Sequence, residues 1–303
     1  MPRMSTLPAP RSLFDRLVDD AAVFPPGNAP VPVAWAEHLA MRSGRYGDVL
    51  GPLLIGAAGA DVLVEAAAAH PPVTDHETAA GLRPAPVAVG VVARAGTSLR
   101  DLRAAVAALR ASPHLRVVSV ELPHDTAGAW REALGLGARV AVEVTRDLGH
   151  QHDALDDLAA GASRGTERVV AKLRTQSTPT APVPTPRELA EFMHGARDRD
   201  LPFKLTGGLH HAVAHTELTA DPSPEEQHGV LNVVVAAHHL EQGATLRDLI
   251  ATLELRETAA LTSLVRGLSE RDVDQLRARF LSFGCCGVMD PVGELVDLTL
   301  LTP

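Results

Sequence analysis

Eight residues, Lys204-Leu205-Thr206-Gly207-Gly208-Leu209-His210-His211, bring a cation, a hydroxyl, two glycines and two imidazoles into one short stretch. With 203–206 as a strand, Lys204 and Thr206 share a face, because side chains alternate along a strand. The glycines then end the strand and let the backbone approach a ligand closely. A lysine so placed can act as a nucleophile or a proton carrier, and an imidazole can move protons or bind a metal.

The same alternation places charge upstream. Ser119 shares a face with Glu121, Ala141 with Glu143 and Thr145, and Val170 with Lys172 and Arg174. Four consecutive candidate strands therefore each carry a charged residue near the C-terminal end and apolar residues on the other face. In a parallel barrel the apolar face packs under helices and the charged face looks inward, at the end where such barrels hold their active sites. Glu121, Glu143, Lys172, Arg174 and Lys204 must pair with one another or line a wet pocket, since an unpaired buried charge is costly. The bland reading is a mutually satisfied layer of ion pairs.

Three chemistries fit this set. In the first, Lys204 attacks a carbonyl as a Schiff-base nucleophile, its pKa depressed by the nearby cation Lys172. Glu121 or Glu143 then shuttles protons with His210 as a further acid–base group, and Arg174 clamps a carboxylate or phosphate. Charged strand ends of this kind resemble the interiors of class I aldolases and type I dehydratases. In the second, His210 and His211 join Glu121 and Glu143 around a divalent metal, Zn2+ or Mn2+, for hydrolysis or isomerisation. Seven of the fourteen histidines fall between His194 and His239, although two lysines and an arginine in the same layer oppose a dication. In the third, free N–H groups at Thr206-Gly207-Gly208 and at Gly284-Cys285-Cys286-Gly287 bind phosphate, as late barrel loops do. Thr206, Gly207, Gly208, His211 and Asn232 stand as substrate-binding candidates in each case. Cys285 and Cys286 read as small buried residues, and His150 and His152 as surface loop residues.

The elements that must hold these residues follow an alternating rhythm. Strands are predicted over 53–56, 86–94, 116–122, 139–145, 168–175 and 201–206, with a late apolar run at 279–286. Helices are predicted over 61–69, 99–110, 126–136, 154–162 and 187–197. Thr185-Pro186-Arg187-Glu188 has the form of a capping box with proline at the first helical position, and Ser269 is placed to cap a late helix. Such alternation means a parallel sheet. No Gly-x-Gly-x-x-Gly follows the first strand, which counts against a dinucleotide fold. The prediction is an α/β protein, a (β/α)8 TIM-type barrel over 47–303, preceded by an N-terminal extension, 1–46, that caps it. The seventh unit is irregular: 228–240 fits helical spacing better than a strand, which leaves the seventh strand near 252–256. The segment 206–229 is long for a connecting loop, and long loops are often functional.

Composition sets the outer limits. The chain has 303 residues, 46% hydrophobic and only 3% aromatic, so its core must come from Ala, Val and Leu. A net charge of −9 argues against nucleic acid or an anionic membrane as partner. Residues 1–11 have no apolar core like that of a signal peptide, and Asp61 and Glu65 interrupt the longest apolar stretch, 53–70. Adjacent Cys285 and Cys286 give no disulfide framework, which points to a reducing cytoplasm. The expected partner is a small anionic substrate, and the Ala-rich exterior is compatible with a homo-oligomer. A non-catalytic barrel that binds a small molecule is the remaining alternative to an enzyme.

Four segments also carry a family likeness. Val18-Asp19-Asp20-Ala21-Ala22-Val23-Phe24-Pro25-Pro26, Lys172-Leu173-Arg174-Thr175, Phe203 to His211, and His228-Gly229-Val230-Leu231-Asn232 resemble segments of a family of uncharacterised bacterial proteins. The resemblance runs the length of the chain. It implies that the four segments belong to one architecture and meet at one site. Thr175-Gln176 stands where the family pattern has a glycine-rich turn.

Overall fold

In a computed structural model, residues 9–72, 85–94, 96–162, 169–179, 181–218 and 224–301 are described. Eight parallel strands close a barrel: β1 (Val18–Asp20), β2 (Leu50–Gly56), β3 (Val87–Val92), β4 (Leu115–Pro123), β5 (Arg139–Glu143), β6 (Val169–Arg174), β7 (Phe203–Thr206) and, after a two-stranded hairpin of β8 (His215–Glu217) and β9 (Glu225–Gln227), β10 (Phe280–Cys285). Strand β10 lies between β7 and β1 and closes the ring. The α/β (β/α)8 TIM-type barrel is therefore the fold. Arg168, the first residue of the fifth predicted strand, lies outside the described residues.

Helices α1 (Val31–Ser43), α2 (Ala60–Ala69), α3 (Leu99–Ala111), α4 (Ala129–Ala133), α5 (Leu148–Ala162) and α6 (Pro186–Asp198) follow β1 to β6. Between β7 and β10 come α7 (Val230–Glu241), α8 (Leu246–Glu254), α9 (Thr258–Arg266) and α10 (Glu270–Arg279), and α11 (Met289–Asp297) follows β10. Capping explains several starts. Thr185 and Glu188 form the predicted capping box on α6, and Ser269 with Asp272 forms another on α10. Helix α5 begins earlier than predicted, so His150 and His152 are exposed helical residues rather than loop residues. Among the described residues no helix is long and apolar enough to cross a membrane.

Two expectations fail together. The N-terminal extension is not an appendage: Val18–Asp20 is a barrel strand, with Val18 opposite both Phe283 of β10 and Leu50 of β2. The predicted strand at 252–256 falls mostly in α8, whose N-terminus carries a capping box of Thr245 and Asp248. The barrel takes its remaining strand from the start of the chain. A three-residue strand ending in two aspartates has no alternation to detect, whereas 252–256 mimics the apolar content of a strand inside an amphipathic helix.

Outward strand residues build the core under the helices. Phe203 of β7 meets Phe192 of α6 edge-on at 5.7 Å and stacks on Phe280 of β10 at 5.3 Å between ring centroids. Trp35, Trp130, Leu53 and Ile55 are also fully buried. Burying each such side chain contributes roughly 1.5–3 kcal/mol. With helices covering the apolar faces, the alternate strand residues have only the barrel interior to occupy.

Candidate active site

The inward residues assemble into a ladder of alternating charge. At its deep end, Lys204 Nζ of β7 donates to Asp19 Oδ2 of β1 at 2.6 Å and to Glu121 Oε1 of β4 at 2.5 Å. The other oxygen of Glu121 meets Lys172 Nζ of β6 at 2.8 Å, as an ion pair rather than an aligned hydrogen bond. Lys172 also faces Glu143 Oε2 of β5 at 3.0 Å. Arg174 closes the series, its Nε donating to Glu143 Oε1 at 3.0 Å and its Nη2 reaching Oε2 at 3.4 Å. Register explains the order: Lys172 lies opposite both Glu143 and Lys204, and Arg174 opposite Thr206. Three carboxylates and three cations alternate, so their formal charges cancel.

All five residues predicted to converge do so. Asp19, named in the sequence only within the first of the four family-like segments, completes the ladder. Ser282 of β10 donates to the same Asp19 oxygen at 2.9 Å. Gly51 of β2 gives the carboxylate room, since a Cβ there would lie 2.3 Å from Asp19 Oδ1. The neighbouring Asp20 points the other way and binds His38 Nδ1 of α1 at 2.9 Å, with both side chains buried. Two adjacent aspartates thus tie one short strand to the barrel interior and to its first helix.

Electrostatics divides the ladder's members. Burial alone would lower the Lys204 ammonium, but Asp19 and Glu121 outweigh it and hold Lys204 well above the usual lysine range. Burial pushes Glu121 up, yet Lys172 and Lys204 overcome it and bring its carboxyl down to about 2. Glu143 is lowered in the same way by Lys172 and Arg174. Asp19 is the exception: burial raises its carboxyl, and Lys204 offsets this only in part. The depressed lysine pKa that Schiff-base chemistry needs is not found at Lys204, because carboxylates rather than the second cation are its direct neighbours.

The loop after β7 carries the remaining candidates. Gly207 and Gly208 take left-handed φ of 72° and 70°, and Leu209 continues at 56°. The Gly207 N–H, expected to be free for phosphate, donates to Gly284 O at 2.9 Å. The carbonyls of Thr206 and Gly207 accept from Thr175. His210 and His211 part company: His210 Nδ1 pairs with Asp290 Oδ2 at 2.8 Å, and His211 Nδ1 with Glu294 Oε1 at 2.6 Å, both acids lying on α11. Glu121 and Glu143, the carboxylates expected to join them on a metal, are held by lysines. Among the described residues no three His, Cys, Asp or Glu side chains form a group that could hold a metal ion.

Asn232 does not belong to the site. It is fully buried on α7, where its Oδ1 accepts from Ala214 N at 2.9 Å and its Nδ2 donates to Thr252 O at 3.0 Å and Leu255 O at 2.6 Å. Its polar groups brace the long excursion between β7 and β10, a role that a buried amide with backbone partners fills well. His228 is likewise buried and bonds Pro184 O at 2.7 Å. Three of the four segments expected to meet do so at the ladder or its mouth. The fourth reaches them through its backbone, where Val230 N donates to His211 O at 3.0 Å.

Neither a protein-family model nor a curated protein matches this chain. Side-chain exposure climbs along the ladder from 0% at Glu121 and 7% at Lys204 to 25% at Glu143 and 40% at Arg174. Among the described residues Arg174 donates to one carboxylate only, that of Glu143, which leaves the other edge of its guanidinium at the mouth. A cleft of about 460 Å3 opens on the same face, between the loops after β5 and β6, lined by Arg146, Val183 and Glu188 among others. Arg146 joins this cleft to β6 by donating to Arg174 O at 3.0 Å.

Proposed function

We propose that the protein is an enzyme that binds a small anionic carbonyl compound at the open end of the ladder and moves protons on it, in the manner of a dehydratase or aldolase-type lyase. One observation carries this reading: a charge-balanced ladder whose last carboxylate and last cation emerge at the C-terminal mouth of a barrel. In this reading the other edge of the Arg174 guanidinium binds a substrate carboxylate or phosphate. Glu143 takes and returns the proton, a contribution worth roughly 10^2–10^4 in rate. Lys172, held between Glu121 and Glu143, supplies positive charge where an enolate or alkoxide oxygen develops. Lys204 keeps the deep carboxylates paired, and its charged state supports acid–base rather than Schiff-base chemistry. Two free cysteines suit a reducing compartment such as the cytoplasm.

The test is a panel of 2-oxo and 2-hydroxy acids, followed by NMR in D2O for turnover or exchange of the proton next to the carbonyl, with a parallel borohydride trap. Exchange or turnover without a lysine adduct is expected, falling about a hundredfold or more in Glu143→Gln. A reduced adduct on Lys204 or Lys172 would instead establish Schiff-base chemistry, and an unchanged Glu143→Gln variant would remove Glu143 from the mechanism.

A further inference from the structure

A second cluster stands at the end of β10, outside the ladder. Cys286 Sγ lies 3.5 Å from His210 Nε2, and the other ring nitrogen of His210 faces Asp290 Oδ2 at 2.8 Å. Cys285 Sγ lies 3.6 Å from His210 Nδ1 and reaches the carbonyl of Gly287 at 3.4 Å. Cys285 is buried, whereas Cys286 is partly exposed. Thiol, imidazole and carboxylate thus stand in line, each within contact of the next.

Three features of the backbone hold this line. The left-handed run ending at Leu209 turns the chain so that His210 comes down over β10. Leu209 lacks the freedom of glycine there, and strain of that kind gathers at functional sites. Gly287 makes room for the acid, since a Cβ there would lie 2.2 Å from Asp290 Oδ2. The turn after β1 closes over the thiol: a Cβ on Gly27 would sit 3.1 Å from Cys286 Cβ. A structural role for two small thiols needs none of this.

We propose that Cys286, His210 and Asp290 form a nucleophilic thiol site that accepts an acyl group from an ester or thioester. In the resting pair the Cys286 proton lies on His210 Nε2, and the thiolate sulfur adds to the acyl carbon as the carbonyl electron pair moves onto oxygen. That pair returns as the bond to the leaving group breaks, and the departing alcohol or thiol takes the proton from His210. Water then attacks the acyl-sulfur with His210 as base, releasing the acid and restoring the thiol. Asp290 orients the ring and supports its charge, the role of the third group in such sites. The charge state agrees with this: contacts with Cys285 and Cys286 push His210 up to about 11 against the effect of burial, and His210 outweighs burial to bring Cys286 below the usual thiol range. The site stands on its own geometry and is independent of the lysine ladder.

The full-length protein, reduced and assayed with and without EDTA, would be treated with limiting iodoacetamide at pH 6.5 and separately with p-nitrophenyl acetate, with adducts located by mass spectrometry. Cys286 is expected to alkylate at least about tenfold faster than a peptide thiol, because a thiolate is the reacting form. It is also expected to carry one acetyl group during a p-nitrophenol burst that Cys286→Ser abolishes. His210→Gln should remove the rate advantage, and Asp290→Asn should reduce it with the fold intact by circular dichroism. A peptide-like alkylation rate, labelling of Cys285 instead, or the absence of an acetyl adduct would overturn the proposal. A rate that rises on chelation would assign His210 to a metal and overturn it equally.

Discussion

Asp19, Lys204 and Glu121 at the deep end of the ladder carry the same kinds of charge as Glu143 and Arg174 at its mouth, but they live in different surroundings. The deep groups are almost wholly buried, and Lys204 has a carboxylate on either side. At the mouth the side chains are a quarter and two-fifths exposed, and Arg174 has one carboxylate partner. Breaking a buried pair leaves a charge without water or partner, whereas an exposed pair is screened and replaceable. The deep end therefore behaves as part of the fold, while the mouth is free to exchange its partners for a ligand. The contrast teaches that residue type alone does not mark a catalytic group; its distance from solvent along a shared network does.

The largest effect should come from Lys204→Met. It strands Glu121 and Asp19, and urea unfolding should show a loss of about 3–5 kcal/mol, moderated if Asp19, already raised by burial, takes up a proton. Next is acid. Glu121 falls to about 2 in the folded state, and Glu143 is lowered with it, so both contribute stability that is present above the ordinary carboxylate range. That stability, on the order of 3 kcal/mol for Glu121, should drain away as pH drops from near 4.5 towards 2. Asp19 works in the opposite sense, since its raised carboxyl favours the protonated, acid-side form. A pH series of urea midpoints checks both, and a flat profile below pH 4.5 would break the assignment of the deep charges to the fold.

At the mouth the effects should move from stability to function. Glu143→Gln should slow proton exchange on the substrate about a hundredfold or more, while costing less stability than Lys204→Met. The smallest change in stability is expected for Arg174→Gln, under about 1 kcal/mol for a two-fifths exposed pair, together with roughly tenfold weaker binding of anionic ligands by calorimetry. A variant at Arg174 as unstable as Lys204→Met would erase the distinction between the two ends.

Much of this site was legible in the sequence. Period-two alternation placed Glu121, Glu143, Lys172, Arg174 and Lys204 on inward faces, because long parallel strands repeat that pattern several times. Asp19 escaped because its strand has three residues, too few to show a period, and because its partner lies 185 residues away in the chain. The irregular stretch between β7 and β10 misled for a related reason. An amphipathic helix and a short strand share apolar content over five residues, and only the cap at Thr245 tells them apart. Asn232 resembled a binding group by type, but its partners are a backbone N–H and backbone carbonyls that no spacing rule reveals. The contact of His210 with Cys286 depends on three successive left-handed residues, one of them a leucine, which sequence pattern does not foretell.

The division of the ladder is tested most directly by side-chain 15N NMR of lysine and arginine during titration with a small dicarboxylate such as malonate. The account predicts that the Arg174 Nε signal shifts with ligand while Lys204 Nζ keeps its ammonium signal unmoved. A shift or loss of the Lys204 ammonium, with Arg174 unchanged, would contradict it.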